Sequence, residues 1–470
     1  MSFEEQRLEE LCELVIDCPH STPKWTDEGF IVLRNQNIRN GVLDLSTPSF
    51  TDEDGYKNRI KRAKPKANDI VFTREAPMGE VCLIPEGIEC CLGQRQVLLR
   101  ANSKVDPYYL FWALQSPYVQ HQISWNEGTG TTVSNVRIPV LKDLKIPRLG
   151  VAESWIAKTM TSLALKSQIN KKINQTLEQM AQALFKSWFV DFEPVKAKIA
   201  ALEAGGSQED ATLAAMTAIS GKDADALVVF ERESPEKYAE LKATAELFPS
   251  AMQDSELGEI PEGWEVSDIK SSVSELRRGI SPKYTDDADG IMVINQKCIR
   301  NHTINFSLSR RHDGKKRSIS GRELQVGDVL VNSTGVGTLG RLAPVRYKSE
   351  ILIADSHVTV VRADTKKITK SFLSELLTKH EKHIESSGSG STGQTELRRE
   401  TLEEIKFPCP PVILGRLFDK IINNFNNKIS IMEEQMIALS NLRDTLLPKL
   451  LSGEITLPEA EQAVSEVENV

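Results

Sequence analysis

Short apolar runs bounded by turn residues occur in the same order at two places in the chain, about 260 residues apart. The segment from Gly29 to Ser46 aligns without a gap on the segment from Gly290 to Ser307. Both contain an opening glycine, an apolar triplet, an Ile-Arg-Asn sequence and a closing serine. Runs of this length with turn residues around them predict β-strands. Because the polar positions between the shared residues differ, the pattern indicates one frame that carries two different polar faces.

Four further matches follow in the same order. They are Asn68–Arg74 with Gly327–Ser333, Gln96–Ala101 with Val358–Ala363, Gly128–Gly130 with Gly388–Gly390, and Leu141–Pro147 with Leu402–Pro408. The spacing of the two copies is far longer than the period of about 20–50 residues that is typical of solenoid repeats. The sequence therefore predicts two whole, duplicated domains.

A helical stretch follows each copy. In the second stretch, apolar residues alternate by four and three positions as in a heptad seam, and Arg443 is the polar exception. The seam residues are Phe418, Ile422, Phe425, Ile429, Met432, Met436, Leu439 and Leu446. The first stretch is less regular, because Lys166 and Asn170 fall on its stripe, which consists of Leu163, Ile173, Leu177, Met180 and Leu184. Each helix could pack on its own domain alone, but the presence of two favours pairing with each other. Helices of about 30–35 residues would be roughly 45–50 Å long and would hold the two domains apart.

The length of 470 residues allows about three domains. We predict an α+β fold with two duplicated mixed α/β domains and two long helices. The predicted segments are 1–149 (first domain), 150–200 (first helical region), 201–262 (acidic helical linker), 263–409 (second domain), 410–455 (second helical region) and 456–470 (acidic tail).

The net charge of −8 is unevenly distributed. Residues 201–262 carry fourteen acidic and four basic side chains, and residues 452–470 carry five acidic side chains and no basic one, so the rest of the chain is positive. Basic residues concentrate in one window of each repeat copy. They are Lys57, Arg59, Lys61, Arg62, Lys64 and Lys66 in the first, and Arg310, Arg311, Lys315, Lys316 and Arg317 in the second. One such window is ordinarily a solvated surface, but two at comparable places favour contacts with nucleic-acid phosphates.

Several kinds of chemistry are missing from the sequence. Seven cysteines without a Cys-x-x-Cys pair, and few histidines, argue against disulfides and a zinc site. The segment Gly335–Leu342 has Arg and Leu where a phosphate-binding Walker loop needs Lys and a hydroxyl. No motif for adenine methylation or for hydrolysis is present, so we expect no catalytic residue, metal or cofactor. The acidic N-terminus and the lack of a long apolar run predict a cytoplasmic chain without a membrane span.

Three motifs identify a family. Leu184–Pro194 closes the first helical stretch, Leu257–Trp264 opens the second domain, and Leu442–Ile455 closes the second helical stretch. With the repeat, they make the chain resemble the specificity subunit of a bacterial type I restriction-modification system. The resemblance implies two target recognition domains, each reading half of a split, asymmetric sequence in double-stranded DNA, and two helices that pair as an antiparallel coiled coil. It also implies partners: two modification subunits that use S-adenosylmethionine to methylate adenine, and restriction subunits that use ATP and Mg²⁺ to translocate and cleave.

Polar residues of the repeats are the candidates for reading base edges, since Arg and Lys suit guanine and Asn and Gln suit adenine. In the first domain they are Arg34, Gln36, Asn37, Arg74, Gln94, Arg95, Thr131 and Asn135. In the second they are Asn295, Gln296, Lys297, Ser333, His357, Thr392 and Gln394. Any of them could instead cap a turn or remain solvated. Arg39-Asn40 and Arg300-Asn301 are the same in both copies, which favours holding the loop, or else touching phosphate, over reading different bases.

Two other functions are compatible with the sequence. One is a free-standing nuclease or methyltransferase with degenerate motifs, which would turn over DNA without partner chains. The other is a coiled-coil adapter that binds only protein, for which the basic windows would have no DNA to contact.

Overall fold

The computed structural model describes residues 4–125, 135–335, 337–388, 396–452 and 454–468. The chain forms two compact units, residues 1–171 with 433–470 and residues 172–432. The first unit therefore combines both ends of the chain, and the second is formed by its middle.

The first unit contains the first repeat copy. Its strands are β1 (Glu4–Arg7), β2 (Cys12–Asp17), β3 (Trp25–Thr26), β4 (Phe30–Leu33), β5 (Ile38–Arg39), β6 (Val42–Leu43), β7 (Ser49–Thr51), β8 (Ile70–Thr73), β9 (Val81–Leu83), β10 (Cys90–Leu92), β11 (Gln96–Ala101) and β12 (Lys145–Arg148). Its shorter helices are α1 (Leu8–Leu11), α2 (Glu53–Arg59), α3 (Pro107–Gln115), α4 (Pro117–Trp125) and α5 (Ile138–Asp143). The long helix α6 (Val151–Phe189) begins in this unit.

Two four-stranded sheets form the centre of this domain. One has the order β2-β11-β8-β9 and is antiparallel, and the other has the order β10-β4-β7-β3, with β10 parallel to β4. Side chains of β8 alternate between two cores, because successive residues of a strand point to opposite faces. Val71 packs with Leu33 of the other sheet, whereas Ile70 and Phe72 pack in the core that includes Tyr109 of α3.

The second unit repeats this arrangement after a helical insert. The insert consists of α7 (Glu193–Glu203), α8 (Gln208–Ser220), α9 (Ala224–Glu233) and α10 (Pro235–Glu246). The strands that follow are β13 (Met252–Ser255), β14 (Gly258–Pro261), β15 (Glu265–Asp268), β16 (Val273–Arg278), β17 (Tyr284–Thr285), β18 (Ile291–Ile294), β19 (Ile299–Arg300), β20 (Thr303–Ile304), β21 (Arg310–His312), β22 (Val329–Asn332), β23 (Leu342–Pro344), β24 (Leu352–Ala354), β25 (Val358–Ala363) and β26 (Lys406–Cys409). Its remaining helices are α11 (Ile269–Ser272), α12 (Lys370–Lys379), α13 (Glu381–Ser386) and α14 (Arg399–Glu403). The long helix α15 (Val412–Ser452) begins here and ends in the first unit, which α16 (Leu457–Glu468) completes.

The sheets of the second domain have the orders β16-β25-β22-β23 and β24-β18-β21-β17. Strand for strand, these match β2-β11-β8-β9 and β10-β4-β7-β3 of the first domain, including the parallel pair. Short 3₁₀ turns lie at Asn35–Asn37, Gln296–Cys298 and Phe306–Leu308, and the first two follow equivalent strands. The structure confirms the prediction of an α+β fold with two duplicated domains.

The two long helices are in contact within each unit. In the second unit, Asn174 Nδ2 of α6 donates to the Ile429 carbonyl at 3.4 Å, and the rings of Phe185 and Phe418 lie 6.0 Å apart. Because the residue numbers on α15 fall as those on α6 rise, the helices are antiparallel there. In the first unit, Asn170 Nδ2 donates to Gln435 Oε1 at 3.1 Å.

The predicted stripe of α6 is partly wrong. Asn170 is buried, as its place on the stripe predicts, but Met180 is 49% exposed, whereas Ala181 and Asn174, which lie off the predicted stripe, are buried. The buried face thus shifts by one residue toward Phe185 and Trp188, whose rings pack with Phe418 of α15. The two buried asparagines interrupt the apolar seam, where a polar residue fixes the register of a helix pair at some cost in stability.

The helical insert has a small core of its own. Ala215, Met216, Leu227 and Ala245 are buried together between α8, α9 and α10. Lys198 of α7 is also buried, and its Nζ donates to the Phe248 carbonyl at 2.6 Å. Burial lowers the pKa of this lysine, because the charged form loses its hydration. The predicted linker at residues 201–262 is therefore a folded helical element in its first part.

Candidate nucleic-acid interface

Polar side chains meet at the strand ends of the first domain. We call Asp17, Arg74, Glu75, Arg95 and Asn135 the first strand-end cluster. Arg74 Nη1 lies 2.9 Å from Asp17 Oδ2, and Asn135 Nδ2 donates to Glu75 Oε1 at 2.7 Å. Arg95 Nε is 3.3 Å from Glu75 Oε2. Three of the residues predicted to read bases, Arg74, Arg95 and Asn135, are thereby brought together.

The members of this cluster differ in how much of the side chain is free. Arg74 is only 11% exposed and also donates from Nε to the Val136 carbonyl at 3.0 Å, so its guanidinium is already occupied. Arg95, which precedes β11 and has a φ of 68° in the left-handed region, is 55% exposed. Arg95 is therefore the cluster member best placed to donate to another molecule.

The second domain carries a different set at the equivalent strand ends. We call Arg278, Gln296, Thr334, His357 and Glu396 the second strand-end cluster. Arg278 Nη2 lies 2.8 Å from Glu396 Oε1, and Thr334 Oγ1 lies 2.8 Å from His357 Nδ1. Thr334 Oγ1 also donates to Gln296 Oε1 at 3.2 Å.

The clusters differ in charge at matched positions. Asp17 ends β2 and Arg278 ends the matching β16, so a carboxylate in one domain is replaced by a guanidinium in the other. Arg95 immediately precedes β11, and His357 immediately precedes the matching β25. The frame is thus conserved between the two domains while its hydrogen-bonding groups are exchanged.

Two other residues of the first domain's predicted set lie in its 3₁₀ turn. Gln36 is exposed, whereas Asn37 is buried and holds the loop, because its Oδ1 accepts from the Arg34 amide at 2.9 Å and its Nδ2 donates to the Asp44 carbonyl at 3.0 Å. Gln94 is half-buried and donates to the His20 carbonyl at 2.8 Å.

The predicted set of the second domain divides in the same way. Lys297 is exposed, but Asn295 is buried and caps the turn by accepting from the Lys297 amide at 2.9 Å. Ser333 is fully buried and bonds Thr359, so its hydroxyl cannot meet DNA in this structure. Thr131, Thr392 and Gln394 lie outside the described residues.

The first basic window contains one residue that serves the fold. Arg59 is 6% exposed, and its three nitrogens donate to the carbonyls of Leu92, Ser21 and Pro19 at 2.7, 3.0 and 3.1 Å. All three nitrogens of this buried guanidinium thus donate to backbone carbonyls of its own domain, which favours a role in the fold over the predicted contact with phosphate. Burial also lowers the pKa of its guanidinium.

The other five residues of that window are exposed. Lys57 pairs with Glu53 and Lys64 with Glu89, whereas Arg62 donates to the Asp17 carbonyl at 3.3 Å. Ion pairs between exposed side chains are weak, so these cations can exchange their partners for phosphate.

The second basic window begins on β21, the strand that matches β7, and continues into the following turn. Arg311 is half-buried and donates to the Gly290 carbonyl at 3.0 Å as well as pairing with Glu350. Arg310, Lys315, Lys316 and Arg317 are exposed, although Arg317 also donates to the Ser281 carbonyl at 2.8 Å.

The shared Arg-Asn pairs have a backbone explanation. Asn40 has φ of 50° and Asn301 has φ of 51°, which lie in the left-handed region. Asparagine tolerates that region better than most residues. A loop-holding role for these two asparagines agrees with this geometry.

Sequence reasoning missed the acceptors that organise the clusters. Asp17, Glu75 and Glu396 fix the arginines and amides around them, but none was predicted. Asp17 ends β2, and Glu75 lies two residues after the end of β8. Asp17 contacts Arg74 and Glu75 contacts Asn135, and the residues of each pair are more than fifty positions apart in the sequence. Trp25 and Tyr284, two aromatic residues on the edge strands β3 and β17, were not among the predicted residues either.

Other kinds of site are not found in the described part of the chain. Among those residues, no group of three or more His, Cys, Asp and Glu side chains is arranged to hold a metal ion. None of the helices described is long and apolar enough to cross a membrane.

Comparison with known families gives one matching description. The family model for the type I restriction modification DNA specificity domain matches residues 2–179 and again residues 261–441. The two matches correspond to the two repeat copies with parts of the helices that follow them.

Individual proteins resemble the chain over different lengths. The type I restriction enzyme HindI specificity subunit of Haemophilus influenzae is 33% identical over 315 residues, which are 64% of this chain and 66% of that protein. The putative type I restriction enzyme MjaX specificity subunit of Methanocaldococcus jannaschii is 26% identical over 42% of this chain and 48% of its own length. The chain thus spans about half to two thirds of these two relatives.

A solved structure shares the fold over almost the whole chain. The type I restriction-modification system S subunit from M. genitalium superposes with a TM-score of 0.51 and 16% identity, over 96% of both chains. At this identity the likeness concerns the fold alone.

Proposed function

The chain belongs to the family of type I restriction-modification DNA specificity subunits, and from that membership we propose that each of its two recognition domains reads one half of a split, asymmetric DNA sequence. Membership also confirms three predictions: the chain is a DNA specificity subunit, it is the non-catalytic part of its system, and it carries no cofactor of its own.

One observation supports the division of labour between the domains. The frames match strand for strand, while the polar groups at matched strand ends differ in charge and in hydrogen-bonding type. Base edges in the major groove are distinguished by their pattern of donors and acceptors. Two identical frames with unlike donors and acceptors are suited to two unlike half-sites.

We assign base reading to the exposed members of the predicted sets and to the half-buried Gln296. Arg34, Gln36 and Arg95 serve this role in the first domain, and Gln296, Lys297 and His357 in the second. The exposed basic residues of both windows contact phosphates, which fixes orientation on the duplex without selecting its sequence.

The partners of the chain follow from the family. We propose that the paired helices dock two modification subunits, which methylate adenine with S-adenosylmethionine, and that restriction subunits use ATP and Mg²⁺ to translocate and cleave DNA. The chain would then act in the cytoplasm, where that DNA lies, and its own role is to select the site.

Mapping of methylated adenines tests the proposal directly. DNA from cells that carry the complete system should be methylated at one split sequence. Gln36→Ala should relax the sequence requirement in one half of that site and leave the other half unchanged, by about 1–3 kcal/mol of lost discrimination. Equal loss at both halves would contradict the assignment of Gln36, and the absence of site-specific methylation by the wild-type system would contradict the proposed function.

Phosphate contacts require a separate test. The double variant Lys61→Ala, Arg62→Ala should weaken binding to all duplexes alike and flatten the dependence of affinity on salt by up to about two units of slope. Filter binding over a salt series measures both quantities. A change confined to one sequence would show that these two residues do not act through phosphate.

A further inference from the structure

In each recognition domain, an arginine lies over an aromatic ring at the edge of a sheet, and the two sheets and edges are equivalent. In the first domain, Arg34 Cζ lies 5.2 Å from the centre of the Trp25 ring. In the second, Arg310 Cζ lies 3.5 Å from the centre of the Tyr284 ring. Trp25 and Tyr284 begin the matched edge strands β3 and β17.

The arginines come from different places in the two frames. Arg34 follows β4, at a position where the second domain has Asn295. Arg310 lies on β21, whose counterpart in the first domain is β7. Duplication of the domain explains why the two aromatic residues occupy matched positions. It does not explain the two arginines, because they occupy positions that do not match.

The backbone on each side of these rings is well fixed. Trp25 pairs with Thr51 in the sheet register, and the Thr51 hydroxyl donates to the Lys24 carbonyl at 2.8 Å. Tyr284 pairs with His312, which is buried and accepts from the Lys283 amide at 2.9 Å. Arg310 is two residues from His312 on the same strand, so its side chain lies diagonal to Tyr284 on one face of the sheet.

Three of these four groups are accessible to another molecule, and Tyr284 is half-buried. Trp25 is 45% exposed, and Arg34 and Arg310 are both exposed. Within the described part of the chain, neither guanidinium forms a hydrogen bond or an ion pair with another side chain. A guanidinium that stacks on a ring has a fixed plane, and the N–H groups at its edge remain free to donate. Such an edge can form two parallel hydrogen bonds to two neighbouring acceptors.

We propose that Trp25 and Tyr284 are positioning residues that hold Arg34 and Arg310 ready to donate to paired acceptors on DNA. This inference rests on the proposed function and adds two residues to it. The acceptors are either two phosphate oxygens or O6 and N7 of guanine, which share the geometry that a guanidinium fork recognises.

Binding by the full-length chain with its modification subunits tests this role, using a duplex that contains the mapped methylation site. Trp25→Ala should lower affinity about two- to fivefold, as expected for an exposed cation–π contact, whereas Trp25→Phe should retain most of it. Arg34→Lys should lose a similar or larger factor, and Trp25→Ala combined with Arg34→Lys should lose no more than Arg34→Lys alone. Tyr284→Ala, Tyr284→Phe and Arg310→Lys form the same series in the second domain.

The source of the acceptors is decided by two further measurements. If the partner is guanine, replacement of guanines by 7-deazaguanine in one half-site removes the effect of the variant. If it is phosphate, Trp25→Ala weakens binding to all duplexes equally, and Arg34→Ala, which unlike Arg34→Lys removes the charge, lowers the salt slope by about one. Leu213→Ala, an exposed apolar residue of α8, is the control and should match the wild type.

Two results would overturn the inference. One is unchanged affinity, sequence preference and salt slope in Trp25→Ala and Tyr284→Ala; the other is full additivity with the arginine variants. Thermal unfolding of each variant separates lost positioning from lost folding, and Arg34→Lys keeps the test decisive should Trp25→Ala unfold. Failure of the proposed function itself would be distinct, because the wild-type complex would then show no site-specific binding.

Discussion

Replacement of Arg346 by alanine should strongly destabilise the second unit. Arg346 lies just after β23 and joins the recognition domain to both long helices within that unit. Its Nη2 is 2.9 Å from Glu178 Oε1 on α6, and its Nε donates to Asn426 Oδ1 on α15 at 3.2 Å. Its Nη1 also donates to the His302 carbonyl at 2.9 Å.

The surroundings of this arginine set the size of the effect. The side chains of Arg346 and Glu178 are only 8% and 15% exposed. Glu375 of α12 belongs to the same group, and its buried Oε2 has no hydrogen-bond partner among the described residues. Arg346 opposes the rise in the pKa of Glu375 that burial causes, so removing Arg346 leaves two mostly buried carboxyl groups without this cation.

Breaking a buried pair by removing one partner costs about 3–5 kcal/mol. Because about 1.4 kcal/mol corresponds to a factor of ten, this loss of stability should accelerate amide exchange by at least about a hundredfold. The effect should appear in segments that exchange by unfolding of the unit. The strands β22 and β25 lie in the core of the second unit and are the segments to follow. Strand β8 of the first unit serves as the internal reference.

Lys406→Ala is the matched control. Lys406 Nζ is 2.6 Å from Glu256 Oε2, but both side chains are about half exposed, at 48% and 55%. An exposed pair contributes at most about 1 kcal/mol. If Arg346→Ala and Lys406→Ala change exchange in β22 and β25 equally, the reasoning from burial is refuted. Glu178→Gln added to Arg346→Ala should restore part of the protection, because it removes an uncompensated charge.

Three further predictions concern pH, the basic window and the helix seam. Burial raises the pKa of Glu375 from 4.5 to about 7, and a hydrogen bond to Glu381 raises the pKa of His302 above 6.5. The folded state therefore binds more protons than the unfolded state in this range. As the pH rises from about 5 to about 8, the denaturant midpoint of the second unit should decrease. Glu375→Gln should flatten this slope; an unchanged slope would exclude Glu375 as its source. Arg59→Ala should lower the stability of the first unit by about 2 kcal/mol or more, since three carbonyls lose their donors, and its salt slope of DNA binding should match the wild type; a reduced slope would instead reveal a phosphate contact. Asn170→Leu should raise the thermal midpoint of the first unit by the equivalent of about 1 kcal/mol, and a lower midpoint would show that its hydrogen bond outweighs apolar packing.

The frame of each domain could be predicted from the sequence because its signals are local. Apolar residues that alternate along β8 and its counterpart β22 fill two cores, and turn residues mark where each strand ends. The comparison of the two copies then indicated which positions hold the frame and which carry the differences. Asn40 and Asn301 illustrate the first kind, since both have the same left-handed backbone.

The availability of individual side chains could not be predicted in the same way. Arg59, Asn37 and Ser333 all have suitable chemistry, but each is used by the fold through partners that sequence patterns do not reveal. For Arg59 these partners are backbone carbonyls, which every residue has. The register of α6 was also misjudged, because the choice between Met180 and Ala181 depends on the rings of α15 opposite them.

The route of the chain through its two units has a consequence for synthesis on the ribosome. The core of the first unit includes Leu439, Leu446 and Leu450 of α15 beside Ile156 and Met160 of α6, although about 280 residues separate these groups. The recognition domain that is translated first therefore keeps part of its apolar surface uncovered until α15 has been synthesised. The second unit, whose residues are contiguous, can fold earlier. A transcript that ended at codon 433 would yield all residues of the second unit but an incomplete first one, so termination at that point disables the domain that is translated first.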